Sequence, residues 1–263
     1  MTNELISFAQ RLADSAAAET LPRFRQSISI LNKKDGGFDP VTEADKEAER
    51  VMRELIEERD ARDGVFGEEW PERPSQNGRR WVLDPVDGTR AFICGVPVWT
   101  TLIALEDERP FLGVIDQPFL GERWVGLVGE TTVFSPPKGL QGPSGCTRLS
   151  EARLMVTDLR AGEYFTDEEA ESVARVAARA RLCRRGLDSY GFGLVASGQM
   201  DLVVEAGLRW FDIAAVLPVI EAAGGTAITW GGEPVRPKAN GTLDVIIAAT
   251  PALAEETARL LTA

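Results

Sequence analysis

The sequence feature that most constrains the fold is an apolar strand that ends in two closely spaced carboxylates. Residues 81 to 93 read WVLDPVDGTRAFI, and the first three have the composition of a buried strand. Asp84 and Asp87 follow, and Pro85 between them fixes one backbone angle and donates no hydrogen bond. Two like charges this close repel each other and do not help a core to fold. The segment therefore predicts a functional site where the strand ends.

The turn after this strand offers oxygen ligands and backbone amides side by side. It can bring Asp87 beside Asp84 with the Val86 carbonyl pointing the same way, and Mg²⁺ prefers such oxygen ligands. Gly88 and Thr89 would begin a short helix, whose free N–H groups favour an anion. We therefore expect a metal site next to a phosphate site. Aspartate is also common in turns and caps, and that explanation is the stronger one for a bare D-P-x-D; the apolar strand before it and Gly-Thr-x-x-Phe after it favour the metal.

Three further carboxylates stand where apolar elements begin or end. Asp45 falls in the first turn of a helix that Thr42 would cap, Glu68 follows a glycine, and Asp212 begins an apolar helix. Taken singly, each has a structural explanation: a first-turn charge, a solvated acidic loop and a helix cap. The functional hypothesis depends on the whole set.

Composition removes several classes of function. The chain has no histidine, which excludes Ser-His-Asp and Cys-His catalysis and histidine metal sites. The net charge of -12 argues against nucleic acid and anionic membranes as partners. The cysteines are few and widely spaced with no CxxC pair, and the N-terminus lacks the basic and long apolar regions of a signal peptide. We expect a cytoplasmic protein.

Helical and strand patterns alternate along the chain and predict a layered α/β or α+β sandwich. A stretch rich in proline and glycine, Pro136 to Gly145, is the best candidate for a boundary. It would divide the chain into an N-terminal α+β half with the main metal-binding motifs, residues 1–140, and a C-terminal α/β half that completes the active site, residues 141–263. Helices are predicted over residues 3–20, 42–59, 167–179, 190–197, 212–223 and 251–261, and strands over 80–83, 98–105, 111–115, 124–128, 131–134, 154–156, 201–205 and 243–248.

Three separated motifs resemble the inositol monophosphatase superfamily of metal-dependent, lithium-sensitive phosphatases. They read FGEEW, WVLDPVDGTRAF and WFDIAAVLPVIEAAGG, and the similarity runs from Thr42 to Gly225. The resemblance implies the five-layered αβαβα sandwich of the inositol monophosphatase and sugar phosphatase type, classed as α/β (α+β). It also implies a homodimer.

The resemblance further implies a set of metal ligands. Glu68, Asp84 and the Val86 carbonyl match the ligands of one Mg²⁺. Asp84, Asp87 and Asp212 match the ligands of a second, and Glu68 would also help to hold a third, weaker ion. Two or three Mg²⁺ are therefore expected in each active site.

Other positions match residues that act on water, phosphate and alcohol. Asp45 and Thr89 match the pair that orients and deprotonates the attacking water, with help from Glu68. The amides of Gly88 and Thr89 match the phosphate-binding amides. The positions that match substrate-binding residues are Gly186, Leu187, Asp188, Glu205 and Asp212.

Two positions depart from the family pattern without removing a ligand. Phe211 precedes Asp212 where the family commonly has tryptophan or tyrosine, and Trp210 is displaced by one residue. Cys94 stands where a polar or basic residue is usual. The sequence therefore does not predict how the loop around Cys94 packs.

Within the superfamily, the chain looks most like the histidinol-phosphate phosphatases, enzymes of histidine biosynthesis. Asp188 and Glu205 would suit the ammonium and imidazole of L-histidinol phosphate, a small phosphate monoester. The alternative is that Asp188 only caps the helix that follows it. Other substrates stay open: inositol 1-phosphate, a range of sugar phosphates and, with less support, a 3′,5′-bisphosphate nucleotide. A non-catalytic partner protein is a further alternative, against which the complete ligand set argues.

Overall fold

In a computed structural model, the chain forms two large β-sheets separated and covered by helices. The structure describes residues 2–27, 30–32, 40–130, 133–135, 142–162 and 164–263. Its helices are α1 (Thr2–Thr20), α2 (Glu43–Arg59), α3 (Thr89–Ile93), α4 (Asp167–Arg179), α5 (Tyr190–Ala196), α6 (Trp210–Ile213), α7 (Val216–Ala223) and α8 (Pro251–Leu261). Its strands are β1 (Ile30–Asn32), β2 (Pro40–Thr42), β3 (Gly64–Gly67), β4 (Arg80–Asp87), β5 (Thr100–Glu106), β6 (Pro110–Gln117), β7 (Glu122–Leu127), β8 (Val133–Ser135), β9 (Arg153–Val156), β10 (Leu182–Arg185), β11 (Leu202–Leu208), β12 (Thr226–Ile228) and β13 (Leu243–Ala248).

The first large sheet has six strands in the order β3-β4-β5-β6-β7-β8. β3 and β4 are parallel, and every later pair is antiparallel. The second has five strands in the order β10-β9-β11-β13-β12. In it, β9 is parallel to β10 and β11, and β13 is antiparallel to β11 and β12. β1 and β2 form a separate antiparallel pair.

Helices lie on both sides of each large sheet. α1 and α2 cover the outer face of the first sheet over a core that includes Phe8, Met52 and Trp81. α5 and α7 lie between the sheets, and α4 and α8 cover the outer face of the second sheet. The layers therefore run αβαβα, which confirms the predicted sandwich.

Two glycines set how closely α7 and the residues before it approach the first sheet. A Cβ at Gly113 would lie 2.0 Å from the carbonyl oxygen of Ala215, and one at Gly126 would lie 2.4 Å from that of Pro218. Any side chain at either position would force the helix away from the sheet. The central core between the two sheets depends on this contact.

The expected helix over 212–223 is two helices, so its continuity was predicted wrongly. α6 ends at Ile213 and α7 begins at Val216. Pro218 explains the break, because it has no N–H to donate to the carbonyl four residues earlier. Gly224 then ends α7 in a left-handed conformation, as the Gly-Gly pair predicted.

The predicted domain boundary falls largely on residues 136–141, which lie outside the described residues, so the division at residue 140 stays a prediction. The first two residues of the strand expected over 131–134 also lie outside them. Within the described ranges, no helix combines the length and the apolar character needed to cross a membrane.

Candidate active site

The strand that contains the first two predicted ligands is irregular where they occur. β4 pairs regularly with β5 as far as Asp84, and the register shifts between Asp84 and Asp87. In a regular strand, side chains three residues apart point to opposite faces. The irregularity contains Pro85 and lets both carboxylates reach one side of the sheet. Asp84 also accepts a hydrogen bond of 3.1 Å from the backbone N–H of Val86, which tightens the turn.

Asp212 joins these two residues to form a group of three carboxylates. One oxygen from each of Asp84, Asp87 and Asp212 lies within 4.8 Å of the others. Asp212 stands in the first turn of α6, where it accepts a hydrogen bond of 2.7 Å from the backbone N–H of Arg209. Asp84 is buried and the other two are half-buried. This set of oxygen donors fits a hard divalent cation.

Asp45 lies behind Thr89, in the first turn of α2. Thr42 caps this helix as predicted, and its N–H and hydroxyl both donate to one oxygen of Asp45. The Thr89 hydroxyl lies 3.3 Å from the other Asp45 oxygen and 3.1 Å from the Val86 carbonyl. Asp45 is completely buried, so Thr89 is its link to the cavity described below.

Glu68 follows the last residue of β3, at the same end of the first sheet as Asp84, because β3 and β4 are parallel and adjacent. The backbone N–H of Glu68 donates to the Leu83 carbonyl at 3.2 Å. Burial is the main cause that raises the pKa of Asp45, to about 6, and the charge of Glu68 raises it further. Glu68 therefore lies within electrostatic reach of the proposed water-activating pair.

Gly88 connects the three clustered carboxylates to a loop from the second half of the chain. Its φ of 83° is left-handed, and a Cβ there would lie 2.8 Å from a carboxylate oxygen of Asp188. Both the angle and the lack of space favour glycine. Asp188 itself has a left-handed φ of 46°, which aspartate tolerates better than most residues. Its carboxylate thus lies directly against the backbone where phosphate is expected to bind.

These elements surround a cavity of about 800 Å³. The predicted residues that line it are Glu68, Asp84, Val86, Asp87, Gly88, Thr89, Asp188, Glu205 and Asp212. Gly186 and Leu187 are not among the lining residues: Gly186 is exposed and Leu187 packs against the central core. Substrate binding by these two stays a prediction.

The cavity is also lined by residues that the motifs did not predict. Arg90 and Tyr164 line it, with the Arg90 guanidinium 5.2 Å from the centre of the Tyr164 ring. Ser189 lines it too, and its backbone N–H donates to Asp87 at 2.8 Å. Arg90 and Ser189 each follow a predicted residue, which is the one sequence signal available for them. Tyr164 had none.

The two departures from the family pattern have clear surroundings. The indole N–H of Trp210 donates to the Glu106 carboxylate at 2.8 Å, and the Phe211 ring lies 5.9 Å from that of Phe66. Both contacts fasten α6, and with it Asp212, to the first sheet. Cys94 is exposed at the end of α3.

Burial and mutual repulsion shift the titration of the cavity carboxylates. Burial raises the pKa of Asp87 to about 6, and that of Asp84 and Asp212 well above the usual range, with neighbouring carboxylates adding to each shift. The pKa of Asp188 is raised to about 7 and that of Glu205 to about 8, again mainly by burial. The site thus concentrates negative charge that bound cations would relieve.

Comparison with known proteins places this geometry in a family. The sequence profile of the inositol monophosphatase family matches residues 1–263. The histidinol-phosphatase of Chlorobaculum parvum is 39% identical over 236 residues, which cover 89% of this chain and 88% of that protein.

Two further similarities extend this result. The chloroplastic bifunctional phosphatase IMPL2 of Arabidopsis thaliana is 39% identical over 225 residues, which cover 84% of this chain. The match spans 63% of the plant protein, less than two thirds of its length. A solved inositol monophosphatase from Zymomonas mobilis superposes with a TM-score of 0.85 at 39% identity, covering 99% of this chain and 98% of that one.

Proposed function

The chain is a phosphomonoesterase that belongs to the inositol monophosphatase family, and we propose that it hydrolyses L-histidinol phosphate to L-histidinol and phosphate with Mg²⁺ as cofactor. The observation on which this substrate depends is the pair of acidic side chains, Asp188 and Glu205, in the same cavity as the three clustered carboxylates. The identity shared with a histidinol-phosphatase over most of both chains supports the choice.

Asp84, Asp87 and Asp212 would hold the Mg²⁺, together with Glu68 and the Val86 carbonyl. The donor set fits, because the three clustered carboxylates supply oxygens within 4.8 Å of one another and their charges would otherwise repel. Two or three Mg²⁺ ions held there would supply positive charge to stabilise the phosphoryl oxygens and the leaving alkoxide.

Thr89 and Asp45 would prepare the attacking water. The Thr89 hydroxyl can accept a hydrogen bond from water while it donates one to Asp45, whose oxygen lies 3.3 Å away. Thr42 holds the other Asp45 oxygen, so the carboxylate keeps one orientation. Glu68 lines the cavity beside them and would assist. Water is thereby positioned for in-line attack, and hydrolysis needs no covalent phosphoenzyme.

The backbone N–H groups of Gly88 and Thr89 would bind the phosphate. Gly88 is the N-cap residue of α3 and has a left-handed backbone conformation. It lies next to the three clustered carboxylates. A phosphate there would lie close to the helix start and to the carboxylates that would hold the cations.

Asp188 and Glu205 would bind the organic part of the substrate. In L-histidinol phosphate the ammonium is on the carbon next to the ester-bearing CH₂ group, so it must lie close to the phosphate. The Asp188 carboxylate lies against Gly88, which is the place such an ammonium requires. Glu205 is buried on β11, where its carboxylate accepts a hydrogen bond from the backbone N–H of Thr157. The carboxylate would also accept a hydrogen bond from an imidazole N–H.

The alternative role of Asp188 as a helix cap finds no support in these contacts. Ser189 occupies the cap position of α5, and no side chain hydrogen bond caps this helix. The second candidate substrate is inositol 1-phosphate, which the similarity to the Zymomonas mobilis inositol monophosphatase favours. A cytoplasmic homodimer without nucleic-acid or membrane partners is also part of the proposal, and the net charge of -12 supports the last two points.

One assay tests the proposal. Phosphate release is measured with Mg²⁺ on L-histidinol phosphate, inositol 1-phosphate and adenosine 3′,5′-bisphosphate, with EDTA as the control. We expect kcat/KM to be highest for the first substrate and activity to vanish in EDTA. A preference for inositol 1-phosphate would refute the proposed substrate while keeping the enzyme class, and activity on none would favour the non-catalytic alternative.

A further inference from the structure

Glu49 is a buried carboxylate to which the proposed mechanism gives no role. It lies one helical turn after Asp45 on the same face of α2, and its side chain is 0% exposed. One oxygen accepts a hydrogen bond of 2.7 Å from the Arg53 guanidinium. The other accepts a hydrogen bond of 2.8 Å from the backbone N–H of Glu69. A buried charge is costly unless it is paired and hydrogen-bonded, and Glu49 is both.

The segment that Glu49 contacts is the turn that presents Glu68. A Cβ at Gly67 would lie 2.0 Å from a Glu49 oxygen, so the carboxylate packs against the backbone just before Glu68. The N–H that it accepts belongs to the residue just after Glu68. Arg53 adds a second attachment by donating to the Trp70 carbonyl at 3.1 Å. Glu49 therefore holds this turn on both sides of the predicted metal ligand.

We propose that Glu49, with Arg53 as its counter-ion, is a positioning residue that fixes the Glu68 carboxylate relative to Asp45 and Asp84. Asp45 lies on the same helix as Glu49, and Asp84 lies on the strand next to the one that Glu68 follows. The inference rests on the proposed function only in the role that it gives Glu68 as a metal ligand. Residues that orient metal ligands typically change metal affinity by about 10- to 100-fold when they are replaced.

Glu49→Gln tests the proposal with little change in side-chain volume. The carboxamide has one acceptor oxygen, so its NH₂ group must face either Arg53 or the Glu69 N–H, both of which are donors. Glu54→Gln is the matched control, because it removes one charge and one arginine pair from the exposed side of the same helix. Mg²⁺ binding is measured by calorimetry without substrate, alongside the Mg²⁺ dependence of phosphate release.

We expect Glu49→Gln to weaken Mg²⁺ binding and raise the half-saturating Mg²⁺ concentration about tenfold. Substrate KM at saturating Mg²⁺ should stay within about twofold, since Glu49 acts through Glu68. Glu54→Gln should match the wild type. A Glu49→Gln protein that loses thermal stability but binds Mg²⁺ like the wild type would show a structural role alone and overturn the inference.

A second variant decides the matter if Glu49→Gln does not fold. Arg53→Lys keeps the positive charge but gives up the planar donor group that reaches both Glu49 and Trp70. We expect it to weaken Mg²⁺ binding about threefold, a smaller loss than for Glu49→Gln because the carboxylate remains. Unchanged binding would overturn the inference. A wild-type chain that binds Mg²⁺ but hydrolyses none of the three esters would refute the proposed function, and the calorimetric comparison would still decide the role of Glu49.

Discussion

The two sides of the cavity are assembled in different ways. On the metal side, Asp84, Asp87 and Thr89 come from one short segment whose bulge and turn bring them together, and α6 adds Asp212 from the second half of the chain. On the alcohol side, Asp188 comes from a loop before α5 and Glu205 from the middle of β11. The segment from Asp84 to Thr89 owes its geometry to local backbone structure, whereas Asp188 and Glu205 owe theirs to packing of the second half of the chain. We therefore expect changes on the metal side to affect every phosphate ester, and changes on the alcohol side to alter the choice among esters.

The largest effect should come from breaking the metal side. Asp84→Asn removes the carboxylate that would be shared between two ions, so kcat/KM should fall on the order of a thousandfold for all substrates alike. Phosphate release at saturating Mg²⁺ measures this. Asp107→Asn, at an exposed position, is the matched control. Near-normal turnover of Asp84→Asn would refute the assignment of the metal site.

A smaller, selective effect should come from the alcohol side. Asp188→Asn keeps the size of the side chain, and asparagine tolerates the left-handed backbone at this position. It removes the charge that would bind an ammonium, so kcat/KM for L-histidinol phosphate should fall about 10- to 100-fold. Glu205→Gln should behave similarly.

The informative quantity is the ratio between two substrates. A phosphate ester without a positive charge, such as glycerol phosphate, should lose less than about threefold in either variant, because it makes no charge-assisted contact there. Equal losses on both substrates would contradict the division of the cavity into a metal side and an alcohol side.

The same difference explains how far the sequence could predict the site. Asp84, Val86, Asp87, Gly88 and Thr89 are adjacent in the chain, so a strand followed by a turn was enough to place them together. The capping of α2 was equally local, because Thr42 and the acidic first turn lie within a few residues. The full five-layer order came from the resemblance to a family.

Packing between distant segments was beyond such reasoning. Nothing local indicates that Tyr164 meets Arg90, or that Glu49 reaches the backbone of Glu69. β10 escaped prediction because Leu182–Arg185 is a mostly exposed edge strand without the alternation of a half-buried one. β3 escaped because two of its four residues are glycine.

Ser189 contacts both sides of the cavity, and loss of its side chain should have a smaller effect on catalysis than either of the preceding changes. Its hydroxyl hydrogen-bonds to Thr100, and its hydrogen bonds to Asp87 lower the pKa of that carboxyl against the larger effect of burial. Ser189→Ala keeps the backbone bond to Asp87 but loses the hydroxyl. We expect kcat/KM to fall about fivefold, the size of one hydrogen bond of about 1 kcal/mol. Because the residue acts through Asp87, the loss should be the same for charged and uncharged esters.

Kinetics on the same two substrates check this expectation. Ser150→Ala, at an exposed position, is the matched control. A selective loss on L-histidinol phosphate alone would place Ser189 functionally on the alcohol side instead.

The smallest effect concerns stability, which should depend on pH because several cavity carboxylates have raised pKa values. Burial raises the pKa of Asp45 and Asp87 to about 6, and that of Glu205 to about 8. Between their unfolded pKa values near 4 and these folded values, the folded chain holds protons that the unfolded chain has released. Metal-free stability should therefore fall as the pH rises through this window. Asp45 and Asp87 on the metal side should contribute up to about pH 6, and Asp188 and Glu205 on the alcohol side should contribute further, to about pH 7 and about pH 8.

Mg²⁺ should reverse the part of this loss that belongs to the metal side, because the cation binds the deprotonated carboxylates. At a concentration of about 100 times its Kd, it adds about 2.7 kcal/mol, which corresponds to about 5–10 °C in Tm for a chain of this length. Thermal unfolding with and without Mg²⁺, at equal ionic strength, should show a larger Mg²⁺-induced rise in Tm at pH 8 than at pH 5. Glu205→Gln should reduce the fall in stability between about pH 6 and pH 8, where Asp188 still titrates, and leave the Mg²⁺ shift intact. An equal Mg²⁺ shift at both pH values would mean that the ion does not bind the carboxylates whose pKa values are raised.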